Sequence, residues 1–192
     1  KHETMHVFGA MDQYVMPFFP EEGGPTTRWG YLRTVNANSA YNSGLGYFGG
    51  KGEGIPDLMG GGSEGIGVYS RGQVGWRDSD GDGILDPLDT FPDTMILGKA
   101  GSSSITYTGL AVDRPLLNEY DPATYDDVTL NIITSVAYRI NGGAWIEVAP
   151  QDGSFDGGEE NFTFTTPLLK DGVYTIEVRA ANSVGNIETS YA

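Results

Sequence analysis

The chain has 192 residues and no cysteine, which excludes a disulfide-stapled scaffold and any metal site with cysteine ligands. It carries 26 acidic against 11 basic residues and a net charge of -15, so we expect it to repel nucleic acid, whose binding requires a basic surface. Because no apolar run approaches the length of a membrane-spanning helix, we expect no membrane insertion within this segment.

The first predicted element is a short helix at the start of the chain. It contains the chain's two histidines, His2 and His6, which share one helix face and can bind one metal ion together. Glu3 lies beside them, where a carboxylate can take a proton from a zinc-bound water. Gly9 can end the helix with a positive φ, which returns Asp12 toward the metal as a third ligand. The pattern therefore predicts a catalytic zinc site.

This run resembles the H-E-x-x-H-x-x-G-x-x-H motif of the metzincin proteases, in the variant that ends in Asp. The resemblance covers residues 1–77 and implies a zinc endopeptidase that cleaves protein or peptide substrates with Glu3 as general base. It also implies that Met59 is the Met-turn residue below the zinc site, and that a predicted helix at about 68–76 closes the domain. A gluzincin arrangement stays open, in which a later glutamate is the third ligand: Glu21, Glu22, Glu53 or Glu64.

Metzincins place a twisted sheet before the zinc helix, and residues 1–77 hold no sequence that could supply it. We therefore expect these residues to be the C-terminal part of a catalytic domain whose N-terminal half is missing. On this interpretation the chain by itself is weak or inactive as a protease.

Residues 78–93 are a predicted calcium-binding linker. Carboxylates occupy loop positions one, three, five, nine and twelve, and a glycine occupies position six, which is the oxygen-rich spacing that calcium requires. Pro87 and Pro92 disfavour a long exiting helix, so the loop resembles a thrombospondin type 3 repeat. The predicted calcium ligands are Asp78, Asp80, Asp82, Ile84 through its carbonyl, Asp86 and Asp89.

Residues 94–192 are predicted to form strands. Val136, Tyr138 and Ile140 alternate with other side chains in period two, and Asn141-Gly142 offers a hairpin turn. Further strands are predicted near 105–112, 128–133, 145–148, 161–166 and 174–180. This pattern predicts an immunoglobulin-like β-sandwich. Its predicted buried residues are Tyr138, Trp145, Phe164, Tyr174, Ile176 and Val178.

The predicted fold class is therefore multidomain α+β, with residues 1–77 as a helix plus long loops, 78–93 as a linker and 94–192 as an all-β sandwich. The predicted function is a secreted or cell-surface zinc endopeptidase that uses Zn2+ and Ca2+. The alternative is a calcium-stiffened adhesive or binding module with an inert protease remnant, which would not need Glu3. The sandwich is a candidate for binding protein or carbohydrate, the latter through the rings of Tyr107, Tyr125, Tyr138 and Trp145.

Overall fold

The computed structural model describes residues 1–10, 28–29, 34–35, 58–60, 65–117, 127 and 129–191. The chain divides into two compact units, one of Lys1–Asp86 with Leu117–Asp127 and one of Pro87–Leu116 with Val128–Ala192. The boundaries predicted after residues 77 and 93 are not tested by this division and stay predictions. In the part of the chain that is described, no helix has the length and apolar character needed to cross a membrane.

The first unit contains two short helices, α1 (His2–Val7) and α2 (Val68–Gln73), and a 3-10 helix at Leu58–Gly60. A small antiparallel sheet joins β1 (Arg28–Trp29) to β2 (Thr34–Val35). Both α-helices are six residues long because each runs into a glycine with positive φ, Gly9 at 84° and Gly75 at 78°. A left-handed glycine at this position ends a helix without the steric penalty that a Cβ atom would bring.

The second unit consists of two antiparallel three-stranded sheets, with strand orders β3-β4-β7 and β6-β5-β8. Side chains on the inner faces of both sheets form one buried cluster around Val136, Phe162 and Val178, each 0% exposed. The strands are β3 (Pro92–Gly101), β4 (Ile105–Asp113), β5 (Ile133–Ile140), β6 (Ile146–Val148), β7 (Glu159–Thr165) and β8 (Ile176–Asn182).

A buried carboxylate links the edge strands of these two sheets. Glu188 is 3% exposed, and it accepts hydrogen bonds from the backbone N–H of Thr94 on β3 at 3.0 Å and of Ala180 on β8 at 3.2 Å. Burial raises the pKa of the Glu188 carboxyl above its ordinary value, although these hydrogen bonds act in the opposite direction. Glu188 therefore contributes a titratable contact to the packing of the sheets.

The predicted fold class, multidomain α+β, is wrong. The described residues are mostly β-sheet, in two antiparallel three-stranded sheets, and they hold only two short α-helices. Helices that stop after six residues are too short to form a helical layer against a sheet. A strand also forms at Pro92–Gly101, where none is predicted.

The core of the second unit contains only part of the predicted set. Tyr138, Phe164 and Val178 are buried, whereas Tyr174 and Ile176 are half-buried. Trp145, also predicted as a core residue, is half-buried as well. The predicted strand near 128–133 begins only at residue 133.

Candidate functional site

The helix α1 carries the predicted catalytic residues of the zinc motif. Nδ1 of His6 lies 2.8 Å from the carbonyl oxygen of Ala10. Since a carbonyl can only accept, Nδ1 is the donor of this contact, and in a neutral imidazole Nε2 is then the nitrogen with the lone pair that a metal requires. Histidines that bind metals usually have their second ring nitrogen held by an acceptor in this way. Glu3 is exposed in the first turn of the same helix.

The end of α1 places the Ala10 carbonyl where His6 can reach it. The N–H of Gly9 donates to the His6 carbonyl at 3.0 Å, and the N–H of Ala10 donates to the Met5 carbonyl at 3.1 Å. These two bonds, with Gly9 at φ 84°, form a Schellman motif. The chain therefore reverses directly after the helix, and the glycine that the motif predicts at this turn has the conformation expected of it.

The predicted Met-turn residue belongs to the same apolar cluster as the helix. Met59 is 0% exposed and forms a buried cluster with Met5, Ala10 and Val74. Met5 immediately precedes His6, so the cluster supports the segment that carries this imidazole. Neither Met5 nor the Ala10 carbonyl is predictable from the motif, because both act on His6 through the folded turn.

Several predicted ligands lie outside the described residues. They are Asp12, the side chain of His2, and the alternative gluzincin ligands Glu21, Glu22, Glu53 and Glu64. The convergence of His2, His6 and Asp12 on one point therefore stays a prediction.

The predicted calcium loop brings three of its carboxylates together. Asp78, Asp80 and Asp82 each offer one oxygen, and these oxygens lie within 4.8 Å of one another. Backbone groups orient the carboxylate of Asp78, because the N–H of Gly81 donates to its Oδ1 at 2.7 Å and the N–H of Gly83 donates to its Oδ2 at 3.0 Å. The three acids are consequently held near one another by turns of their own loop.

Asp86 is outside this group of three and has protein partners. The Nε of Arg77 donates to its Oδ2 at 2.7 Å, and the N–H and hydroxyl of Ser79 donate to its two oxygens at 2.7 and 2.8 Å. Partial burial raises the pKa of Asp86, but the hydrogen bonds from Arg77 and Ser79 outweigh it and the pKa is lowered overall. Asp86 is therefore an ion-pair partner of Arg77, which sequence spacing did not reveal.

The two remaining predicted calcium ligands also have defined contacts. The N–H of Ile84 donates to Oδ1 of Asp82 at 2.7 Å. Asp89 belongs to the second unit, where its Oδ1 accepts a hydrogen bond from Nδ2 of Asn186 at 2.7 Å.

The aromatic residues proposed for sugar stacking divide into core and surface positions. The rings of Tyr138 and Tyr107 stack on Phe164, with centroids 4.1 and 5.2 Å apart, so both contribute to core packing. Tyr125 lies outside the described residues. Trp145 is half-buried, and its ring is covered by arginine side chains.

Comparison with known proteins identifies no family for this chain. No model of a protein family matches it, and no curated protein matches it. Among solved structures it is similar to the sulfane dehydrogenase SoxCD from Paracoccus pantotrophus, with a TM-score of 0.34 and 16% identity over 51% of this chain. The chain spans only 23% of the length of that protein. A likeness at this level establishes neither a common fold nor a common activity.

Proposed function

We propose that this chain carries the zinc-binding and catalytic helix of a secreted zinc endopeptidase whose motif resembles that of the metzincins. The observation that carries the proposal is the hydrogen bond between His6 Nδ1 and the Ala10 carbonyl. In a neutral imidazole this contact favours the tautomer whose Nε2 can bind a metal, so His6 is suited to be a zinc ligand. His2, one helical turn earlier, and Asp12 are the proposed second and third ligands.

In the proposed mechanism Glu3 is the general base. Zinc, when bound, acts as a Lewis acid and lowers the pKa of a water molecule. Glu3 is exposed on the helix that carries His6, so its carboxylate can accept the proton that the attacking water loses. Glu3 then donates this proton to the amine nitrogen as the peptide bond breaks. Met59 packs with Met5 of this helix in one buried cluster, which keeps the helix in place.

The test compares Glu3→Gln with Glu159→Gln, a matched change at an exposed glutamate of β7. We expect slow casein hydrolysis by the unaltered chain, and we expect Glu3→Gln to retain zinc and to cleave casein about 10²- to 10⁴-fold more slowly still, because only the base is removed. Glu159→Gln should match the unaltered chain in both measurements. Zinc content by elemental analysis is read separately from hydrolysis, which is followed over long incubations. Measurable casein hydrolysis by the unaltered chain, matched by Glu3→Gln at the same rate, would refute the mechanism.

We propose further that the loop of residues 78–89 binds Ca2+ through the ligands predicted from its spacing: Asp78, Asp80, Asp82, the Ile84 carbonyl, Asp86 and Asp89. What supports this is the loop spacing, together with the closeness of the Asp78, Asp80 and Asp82 carboxylates. Extracellular calcium modules of this kind bind with a Kd of about 10⁻⁴–10⁻³ M, which fits a secreted or cell-surface protein.

The same loop supports the alternative function, a calcium-stiffened adhesive or binding module with an inert protease remnant. The zinc content of the unaltered chain separates the two. A chain that binds calcium but no zinc would favour the module.

A further inference from the structure

The outer face of the sheet β6-β5-β8 contains a shallow depression with a volume of about 50 Å³. Side chains alternate along a strand, and those of Val136, Tyr138 and Val178 occupy the core, so their neighbours face outward. Small outward residues form the floor of the depression, and larger ones form its walls. The floor is Ser135, Ala137 and Ala181 together with the core residue Ala180, and the walls are Glu147, Arg179 and Ile187.

Arg179 presents hydrogen-bond donors at this depression. Its guanidinium carbon lies 4.1 Å from the ring centroid of Trp145, a stacking contact that restrains the side chain. Within the described part of the chain, Arg179 makes no hydrogen bond and no ion pair. Arg139, which also lies over Trp145, is different, because its Nε and Nη2 donate to Glu177 at 2.8 and 2.6 Å.

Glu147, another wall residue of the depression, supplies a hydrogen-bond acceptor. It is exposed on β6 and has no hydrogen bond or ion pair among the described residues. The depression therefore combines one cation and one anion that do not neutralise each other directly. A ligand with a single strong charge would be repelled by one of them, and an anion would also be opposed by the chain's net charge of -15.

Sugar hydroxyl groups match this combination, because each hydroxyl can accept from a guanidinium and donate to a carboxylate. Ile187 is 42% exposed at the edge of the depression, and it offers an apolar contact for the C–H face of a sugar ring. The Ser135 hydroxyl on the floor adds a group that both donates and accepts.

We propose that this depression is a binding site for a neutral glycan. Arg179 donates to its hydroxyl oxygens, Glu147 accepts from its hydroxyl groups, and Ile187 packs against a ring. The site lies on the second unit and does not depend on the proposed zinc chemistry. It uses the arginine stacked on Trp145, not an open aromatic face, as the main contact.

The test is affinity electrophoresis of the full chain in native gels that contain mixed-linkage β-glucan, galactomannan, dextran or polygalacturonate. We expect at least one neutral polysaccharide, and not polygalacturonate, to retard the chain relative to a gel without polymer. Arg179→Met keeps a side chain over Trp145 but removes the donors, so the Kd should rise at least about tenfold. Arg114→Met is the charge control, because it removes the same charge from an exposed position directly after β4, in the other sheet of the second unit, where Arg114 pairs with Asp93.

A second variant protects the test against a folding defect. Glu147 is exposed, so Glu147→Gln should leave the thermal unfolding temperature unchanged and still weaken retardation. The proposal is overturned if no neutral polymer retards the unaltered chain, or if polygalacturonate retards it more strongly. It is also overturned if Arg179→Met or Glu147→Gln binds as tightly as Arg114→Met.

Discussion

Replacing Met59 by alanine should loosen the helix that carries the proposed zinc ligands. Met59 is 0% exposed and shares a buried cluster with Met5, the residue before His6. Truncating a fully buried methionine to alanine costs about 2–5 kcal/mol of unfolding free energy, through lost burial and the cavity left behind. At the lower limit of this range, the population in which the first unit is unfolded rises roughly thirtyfold over the unaltered chain. We therefore expect weaker zinc binding together with lower stability of the first unit.

Hydrogen exchange of the α1 and turn amides measures this effect in the first unit alone. The N–H groups of Gly9 and Ala10, which are bonded within the turn, should exchange faster in Met59→Ala, and zinc affinity should fall in a chelator competition. Met95→Ala is the control, since Met95 is 54% exposed on β3 and surface changes usually stay within about 0.5 kcal/mol. Unchanged exchange and zinc affinity in Met59→Ala would refute a supporting role for this side chain.

Two further predictions concern the acidic groups. Asp80→Asn should weaken calcium binding several-fold in titration calorimetry, because it removes one charged ligand. The control Asp171→Asn changes an exposed acid of the second unit and should leave calcium affinity unaltered. Equal calcium affinities of the two variants would contradict the proposed site. Because the pKa of Glu188 is raised, the folded chain holds the proton of this carboxyl more tightly than the unfolded chain does. The protonated carboxyl therefore stabilises the fold fully below the ordinary pKa of 4.5, and this stabilisation is lost as the pH rises through the folded pKa. Thermal unfolding across this range should show that decline in the unaltered chain and a flatter profile in Glu188→Gln, and parallel profiles would exclude Glu188 as its source.

Local patterns in the sequence predicted local structure well in the second unit. The alternation at 136–140 lies within β5, and Asn141 and Gly142 have φ values of 51° and 69°, as a hairpin turn of this type requires. These features depend only on neighbouring residues. The strand at Pro92–Gly101 escaped prediction because its apolar side chains face both ways, with Met95 exposed and Ile96 packed against the core.

The sequence predicts residue types for the candidate sites, but it does not predict the contacts that those residues make. Helical spacing places His2 and His6 on one face, yet the acceptor for His6 Nδ1 is a carbonyl that arrives only after the turn at Gly9. Spacing likewise placed Asp86 among the calcium ligands, whereas Arg77 competes for that carboxylate. Such competition is decided by the closure of the loop in three dimensions, which a linear pattern does not record.

The pairing of Arg77 with Asp86 affects both the rate at which an ion enters the loop and the strength with which it binds there. The N–H of Asp86 donates to the Arg77 carbonyl at 2.7 Å, in addition to the ion pair of the two side chains. The two ends of the segment 77–86 are therefore joined by protein contacts alone. Closing a flexible loop of this length costs on the order of 2 kcal/mol of chain entropy. Because these contacts already offset that cost, an ion that binds between Asp78, Asp80 and Asp82 need not supply it, and the rate of capture should depend on ion dehydration, not on chain folding.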